Sequence, residues 1–403
     1  MQPDVQPTVE AIDNPLAPST AVRYFLASYA SYRPFEPSYR TAFAGEALST
    51  LTLAQPHRGA DQISLLPLLI TAPQSAEPLH DCPVMVFIHG GSYESGHFRE
   101  PVFEAAALAE QGFIVVSVEY RLAIEGFVRF SGEKDYRGIE DCREAIGWVA
   151  DNIERFGGDP TNITVVGHSA GAGIALWLGR KDHYDGTFRR ILAVSPAFPR
   201  RPFRKNLLRA CLRVPLTQDD LRRLGPSRLD KGAQRFSGLV ASDLAFGPYP
   251  FEPAEMADLP IIISCTDGEM FDLKEKPFIP GFILRRIFGM PQSYEPDGPL
   301  LGSLVGDTMI RQWALGIGQV RPKDTWLIDY QGDPPIIHGA DLRWVFGSAP
   351  NPPIFNIVKD YLRGVLPSWP DYSANRQVLI APIGREPYPE SDPYGQLRVT
   401  LGL

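Results

Sequence analysis

The pentapeptide Gly167-His168-Ser169-Ala170-Gly171 constrains the fold of this chain more than any other feature. It follows the largely apolar run 163–166 and precedes a stretch of small and apolar residues. This order predicts a strand, a tight turn and a helix, with glycines at 167 and 171 because such a turn leaves no room for side chains. The turn would present the hydroxyl of Ser169 at the end of a strand. Chains of this length also carry such a motif by chance, so its partner residues must be identified independently.

Composition limits the classes of partner. The chain has 403 residues, of which 44% are hydrophobic and 21% charged, and its net charge is −8. A negative net charge argues against nucleic acid or an anionic membrane as the main partner. The four cysteines have no metal-ligand spacing, and we expect neither a metal nor a cofactor. The basic segment 200–213 is interpreted as a solvated helix face.

The N-terminus and the hydropathy bear on location. The first residues have neither the basic nor the apolar region of a signal peptide. No apolar run approaches the roughly 18 residues of a membrane span. We therefore expect a cytoplasmic protein without a membrane span, and nothing in the sequence indicates its oligomeric state.

Apolar strands alternate with helical segments along most of the chain. An amphipathic helix is predicted between residues 139 and 156, where apolar residues recur at three- and four-residue steps. Continuous apolar runs, typical of strands buried on both faces, lie at 83–88, 114–118, 163–166, 191–194, 261–263 and 325–328. This alternation predicts an α/β fold with a mostly parallel sheet.

The whole chain, 1–403, is expected to form one domain with insertions. Residues 1–60 are proline-rich and are interpreted as an N-terminal wrap with short helices around Thr20–Ala30. The spans 199–258 and 272–322 lack the strand pattern, and we expect helical insertions there. Such insertions would cap the carboxyl edge of the sheet, where ligands bind in folds of this kind.

A serine hydroxyl becomes a good nucleophile only when a base accepts its proton, and the usual base is a histidine oriented by a carboxylate. Of the seven histidines, only His338 lies beyond position 183, and it follows the last predicted strand. Three acidic residues, Asp267, Glu269 and Asp272, follow the preceding strand. Spacing alone does not choose among them.

The reaction also needs backbone N–H donors for a negatively charged oxygen. The segment His89-Gly90-Gly91-Ser92-Tyr93 directly follows the strand at 83–88. Its glycines would let the backbone approach a substrate carbonyl. Together with the N–H of Ala170, this loop could form an oxyanion hole.

These stretches together resemble the type-B carboxylesterase/lipase family, which includes cholinesterase-like enzymes. The resemblance covers about half of the chain, mostly within 80–200. Its most distinctive part runs from Asp141 through Gly157-Gly158-Asp159-Pro160 into Ser169. The other matching stretches are 84–96, 119–122 with 126–127, His338-Gly339-Ala340-Asp341 with 345–347, and 369–372.

The resemblance implies an α/β-hydrolase fold with a helical cap and a catalytic triad of Ser169, Glu269 and His338. It favours Glu269 as the acid, because the family places a glutamate at this distance after an apolar strand. Asp267 would take the role if the hormone-sensitive-lipase pattern applied instead.

The resemblance also implies that Gly91 and Ser92 join Ala170 as the oxyanion donors. The chain departs from the family at several positions. His168 stands where the family usually has glutamate, and Ser92 and Met270 stand in place of glycines. The cap region is shorter than in the family, so the substrate does not transfer from known members.

Three functions are compatible with these residues. The leading hypothesis is a serine hydrolase that cleaves a small-molecule carboxylic ester. The second is a biosynthetic enzyme that uses the same triad for acyl transfer, lactone formation or another tailoring step. The third is a non-catalytic, cholinesterase-like binding module. The sequence does not decide between hydrolysis and transfer, because these differ only in whether water or a bound alcohol attacks the acyl-enzyme.

Overall fold

The predicted strands pair into one large sheet in the computed structural model. The structure describes residues 8–10, 21–40, 64–75, 77–240, 242–274, 278–321, 323–349 and 352–403. Within these residues the strands are β1 Thr8–Glu10, β2 Ala21–Tyr32, β3 Tyr39–Arg40, β4 Ser64–Pro73, β5 Cys82–Ile88, β6 Ile114–Val118, β7 Gly158–His168, β8 Arg190–Val194, β9 Ile261–Thr266, β10 Thr325–Gln331, β11 Gln377–Pro382 and β12 Tyr388–Ser391.

Helices fill the connections between these strands. The α-helices of the described residues are α1 Ala106–Glu110, α2 Ala123–Phe127, α3 Arg137–Asn152, α4 Ala170–Leu178, α5 Lys205–Leu212, α6 Gln218–Leu224, α7 Pro226–Leu239, α8 Gly281–Phe288, α9 Leu300–Gly306, α10 Gln312–Val320, α11 Leu342–Val345, α12 Pro352–Leu362 and α13 Gly395–Leu401. A π-helical turn, Asp307–Arg311, joins α9 to α10. Short 3₁₀ turns lie at Pro101–Phe103, Ile153–Phe156 and Pro253–Glu255.

The sheet is parallel through its centre and antiparallel at its ends. Its strand order is β1-β2-β4-β6-β5-β7-β8-β9-β10-β11-β12, and β3 pairs with β2. The seven strands from β6 to β11 in this order run parallel to one another, while the pairs outside them are antiparallel. The predicted α/β class and mostly parallel sheet are therefore confirmed.

Both faces of the central strands are buried, which explains their continuous apolar runs. Along β5, Val84 and Val86 belong to one hydrophobic core, while Met85 and Phe87 belong to the core on the opposite face. Each side chain of this kind contributes about 1.5–3 kcal/mol when fully buried. Hydrophobic cores therefore cover both faces of the central strands, and this packing holds the strand ends in fixed positions.

The expectation of short helices around Thr20–Ala30 was wrong, because residues 21–30 lie in the strand β2. The strand pairs antiparallel with β4 over most of its length, with a register shift between Leu26 and Ala30. The segment is rich in aromatic and β-branched residues, which favour extended backbone once a neighbouring strand supplies hydrogen bonds. Most of the remaining part of 1–60 lies outside the described residues.

The described parts of 199–258 and 272–322 consist of helices joined by irregular segments. The first span holds α5, α6 and α7, and the second holds α8, α9 and α10. The strands β9 and β10 follow these two insertions directly. Among the described residues, no helix combines the length and the apolar character needed to cross a membrane.

Candidate active site

The polar residues of the site lie at the carboxyl ends of five neighbouring parallel strands. In the sheet these strands stand in the order β5, β7, β8, β9 and β10. They lead, in that order, into the loop 89–96, Ser169, Ser195, the loop 267–272 and the segment that reaches His338. Parallel strands present their carboxyl ends at one edge of the sheet, so residues distant in sequence meet there.

Ser169 sits in a strained turn between β7 and α4. Its φ is 54°, which a residue with a side chain seldom adopts, and its N–H donates to the carbonyl of Val194 at 2.8 Å. A Cβ added to Gly167 would lie 2.3 Å from the carbonyl oxygen of Gly171, and one added to Gly171 would lie 2.1 Å from that of Ile88. The two glycines of the pentapeptide are therefore required by close backbone contacts.

His338 and Glu269 form a short ion pair beside this turn. The Nδ1 atom of His338 lies 2.5 Å from Oε2 of Glu269. The other carboxylate oxygen accepts hydrogen bonds from the Ser195 hydroxyl at 2.6 Å and from the N–H of Thr266 at 3.1 Å. Both oxygens of the fully buried carboxylate are thus satisfied, which holds it in one orientation.

The charges in this pair oppose the effect of burial. Burial alone would raise the pKa of Glu269, but His338 and the Arg311 guanidinium hold that pKa below its ordinary value. Burial alone would lower the pKa of His338, but Glu269, Asp341 and the exposed Asp272 hold that pKa above its ordinary value. The geometry therefore favours an ionised carboxylate beside an imidazole that protonates readily.

Asp267 has a different environment from Glu269. Its two carboxylate oxygens accept from the N–H of Gly332 at 2.9 Å and from the N–H of Ile336 at 2.7 Å. These contacts tie the end of β9 to the backbone that leads to His338. Of the three carboxylates that sequence spacing left open, the structure brings only Glu269 into hydrogen-bonding distance of the imidazole.

The loop after β5 is folded into a tight turn with unpaired donors. Gly91 and Ser92 have φ values of 113° and 56°, and the carbonyl of Gly91 accepts from the N–H groups of Glu94 and Ser95 at 2.9 and 3.0 Å. Among the described residues, the N–H groups of Gly91 and Ser92 have no acceptor. The N–H of Ala170, at the first position of α4, has no partner within its helix. All three donors are free to bind an anionic oxygen.

Contacts with His168 and Gly90 bring the parts of the site together. The rings of His168 and His338 lie 4.7 Å apart between centroids, so the imidazole of His338 stands against the residue that precedes Ser169. A Cβ added to Gly90 would lie 3.1 Å from the Cβ of Ser169. The Nε2 atom of His338 has no hydrogen-bond partner in the described part of the chain and is available to accept a proton.

The sequence pattern did not single out Ser195. Its hydroxyl donates to Glu269, its φ is 49°, and its N–H donates to the carbonyl of Ser264 at 2.8 Å. A polar residue directly after a buried parallel strand is the signal that could have identified it, because this position falls at the carboxyl edge of the sheet.

Arg311 and the π-helical turn were also missed. The guanidinium of Arg311 donates to Asp307 at 2.6 Å and to the carbonyl of Thr266 at the end of β9. A Cβ added to Gly306 would lie 2.8 Å from the Cβ of Glu269. The end of α9 therefore packs directly on the loop 267–272, called the acid loop below, and the π-helical turn contacts the end of β9 beside it. No feature of the sequence indicates a π-helical turn, which depends on tertiary contacts.

Comparison with known proteins identifies relatives of part of the chain. Residues 65–206 match the sequence profile described as the carboxylesterase family. The para-nitrobenzyl esterase of Bacillus subtilis (strain 168) is 46% identical over 125 residues, which are 30% of this chain and 26% of that protein. Neuroligin-2 of Mus musculus is 40% identical over 116 residues, 28% of this chain and 14% of that protein. In these matches the chain spans well under two thirds of the relatives' lengths.

The likeness in three dimensions extends over nearly the whole chain. A solved structure titled a thermophilic PNB esterase superposes with a TM-score of 0.78 and covers 96% of this chain and 97% of its own. Its sequence identity is 22%, so this likeness establishes the fold. The fold is that of the α/β-hydrolases, as the sequence resemblance implied.

Proposed function

Because residues 65–206 match the carboxylesterase family, we propose that the chain is a serine hydrolase that cleaves small-molecule carboxylic esters. The observation that carries the proposal is the pair of His338 and Glu269, with an Nδ1–Oε2 distance of 2.5 Å, standing against the turn that presents Ser169. Acyl transfer requires a nucleophile, a base and an orienting carboxylate, and this proximity supports assigning these roles to Ser169, His338 and Glu269.

In the first half of the proposed reaction, Oγ of Ser169 attacks the carbonyl carbon of the ester. The proton of the hydroxyl passes to Nε2 of His338, and the imidazolium that forms is stabilised by the carboxylate of Glu269. The tetrahedral intermediate then collapses. The bond to the leaving alkoxide breaks, and His338 returns its proton to the departing alcohol, which leaves an acyl group on Ser169.

In the second half, water attacks the acyl-enzyme while Nε2 of His338 takes one of its protons. The resulting intermediate releases the carboxylic acid, and the proton returns to Oγ of Ser169. In both halves the carbonyl oxygen becomes negatively charged. We assign its stabilisation to the N–H groups of Gly91, Ser92 and Ala170, whose lack of other acceptors among the described residues supports this role.

We further propose that the chain, 1–403, forms one domain in which 199–258 and 272–322 act as the cap over the site. Two contacts support this. The hydroxyl of Ser237 on α7 donates to the carboxylate of Glu94 in the loop after β5 at 2.5 Å. In the second span, Gly306 packs against Glu269. Cap residues therefore contact both the loop with the oxyanion donors and the acid loop.

The test is an assay in which the full chain is incubated with short-chain aryl esters and hydrolysis is measured as the release of the aryl alcohol. Wild type should turn over, and Ser169→Ala should lower kcat by about 10⁴-fold or more. Ser227→Ala, an exposed serine on α7, is the matched control and should retain wild-type turnover.

The products of the same assay separate the alternatives. Hydrolysis yields the free acid even when an alcohol is added. Turnover that depends on an added alcohol and yields a new ester would favour the transferase. Absence of both turnover and acyl-enzyme with every ester would favour the non-catalytic binding module and would refute the proposal.

A further inference from the structure

Two histidine rings lie in contact at the centre of the site, and the mechanism above uses only one of them. The centroids of His168 and His338 are 4.7 Å apart, with an angle of 37° between the ring planes. Gly90 and Gly339 flank this contact. A Cβ on Gly90 would lie 2.8 Å from Nδ1 of His168, and one on Gly339 would lie 3.1 Å from its Cε1. The two glycines make the space in which the second imidazole fits.

One ring nitrogen of His168 has no hydrogen-bond partner, among the described residues, that would explain a polar side chain at this place. Its side chain is buried, and its Nε2 atom has no partner in the described part of the chain. An unpaired polar atom in the interior is unfavourable, because it loses its hydrogen bonds to water without gaining others. An apolar side chain would avoid this cost, so packing alone does not account for a histidine here.

The charges that face the two rings are unequal in number. His338 faces the carboxylate of Glu269 after β9, Asp272 in the same loop, and Asp341 at the start of α11, and these hold its pKa above the ordinary value although burial lowers it. His168 faces His338 itself. Burial and this neighbour lower the pKa of His168 well below the ordinary value, so its ring stays neutral.

We propose that His168 is a positioning residue that holds the ring of His338 by contact without adding a negative charge, so that His338 keeps its free-base form to a lower pH than it would beside a carboxylate. This inference rests on the proposed function. A carboxylate at position 168 would be a further negative group within contact distance of His338. It would stabilise the imidazolium and thereby remove the base at the acidic end of the pH range.

The test compares the pH profiles of kcat/KM for wild type, His168→Glu and His168→Gln. The acid limb of this profile reports the protonation of His338 in the free enzyme. We expect His168→Glu to move the acid limb upward by about one pH unit or more. His168→Gln, which is neutral but lacks the ring, should lower kcat several-fold and leave the acid limb where it is in wild type.

A purely structural role would lower kcat in both variants without moving either acid limb, and that result would overturn the inference. A second measurement does not depend on the folding of His168→Glu or on turnover. In wild type labelled with ¹⁵N-histidine, the imidazole signal that disappears in His168→Gln should not titrate between pH 5 and pH 8. Titration of that signal within this range would show a charged ring and would also overturn the inference.

Failure of the inference is distinguishable from failure of the proposed function. If wild type hydrolyses esters, Ser169→Ala does not, and the acid limb of His168→Glu coincides with that of wild type, only the role of His168 is refuted. If wild type hydrolyses no ester, the NMR titration still reports the charge of His168, and the proposed function fails by itself.

Discussion

The Nδ1 atom of His338 lies 2.5 Å from Oε2 of Glu269, although 69 residues separate them in the chain. The contact is possible because β9 and β10 are parallel neighbours whose carboxyl ends meet at one edge of the sheet. It fixes the proton of the imidazole on Nδ1 and leaves Nε2 as the acceptor.

Glu269→Gln should lower kcat by at least about 10³-fold, because the amide removes the charge that stabilises the imidazolium. Asp267→Asn is the matched control. Its carboxylate accepts only from the backbone of Gly332 and Ile336, so this variant should lose far less activity. Steady-state kinetics on a short-chain aryl ester gives the kcat of each variant. The opposite ranking in two folded variants would transfer the role of the acid to Asp267.

His338→Ala should lower kcat by about 10⁴-fold or more, since no base then accepts the proton of Ser169. Circular dichroism should show an intact fold, because the imidazole is only partly buried and its loop is held by Asp267. Near wild-type turnover in the folded variant would mean that another residue is the base.

Ser195→Ala should lower kcat by about tenfold with little change in KM. The variant removes the 2.6 Å hydrogen bond to Oε1 of Glu269 and leaves that oxygen with the N–H of Thr266. Ser195→Thr, which keeps the hydroxyl, is the comparison. Equal activity of Ser195→Ala and wild type would show that the hydroxyl does not orient the carboxylate.

Asp341 should make the stability of the fold depend on pH. It is fully buried, and neither of its carboxyl oxygens has a hydrogen-bond partner among the described residues. Burial and the charge of Glu269 raise its pKa to about 7. Between the ordinary pKa and this value, the folded state holds a proton that the unfolded chain has released. The contribution of this group is therefore complete at low pH and is lost as pH rises through about 7.

The variant Asp341→Asn is the reference for the size of this effect, because its amide does not titrate. From pH 5 to pH 8, the free energy of unfolding of wild type should fall relative to that of the variant by about 2 kcal/mol. Calorimetric unfolding at both pH values gives this difference. A constant difference between the two proteins would mean that Asp341 titrates near its ordinary pKa.

The central strands were predictable because burial on both faces produces continuous apolar runs, as in β5 and β6. The strand β2 could not be predicted from the sequence, because its extended backbone depends on pairing with β4. Within the site, the glycines around Ser169 were predictable from the tightness of the turn. The choice between Asp267 and Glu269 was not derivable from spacing, because it depends on how the loop after β9 packs against Gly306.

Residues that act through tertiary contacts were not identified from the sequence pattern. Ser195 and Arg311 reach the acid loop only after β8, β9 and the π-helical turn come together. The ring contact between His168 and His338 joins residues 170 positions apart in the same way. The roles assigned to the oxyanion donors stay predictions, as does a location in the cytoplasm.

The most direct test of the account is intact-mass spectrometry after treatment with an aryl organophosphonate, which reacts with an activated serine. We predict one adduct per chain on wild type, mapped by peptide sequencing to Ser169, and none on Ser169→Ala. The control variant Ser227→Ala should carry one adduct on Ser169, as wild type does. An adduct that persists on Ser169→Ala, or that maps to another residue, would contradict the assignment of Ser169 as the nucleophile.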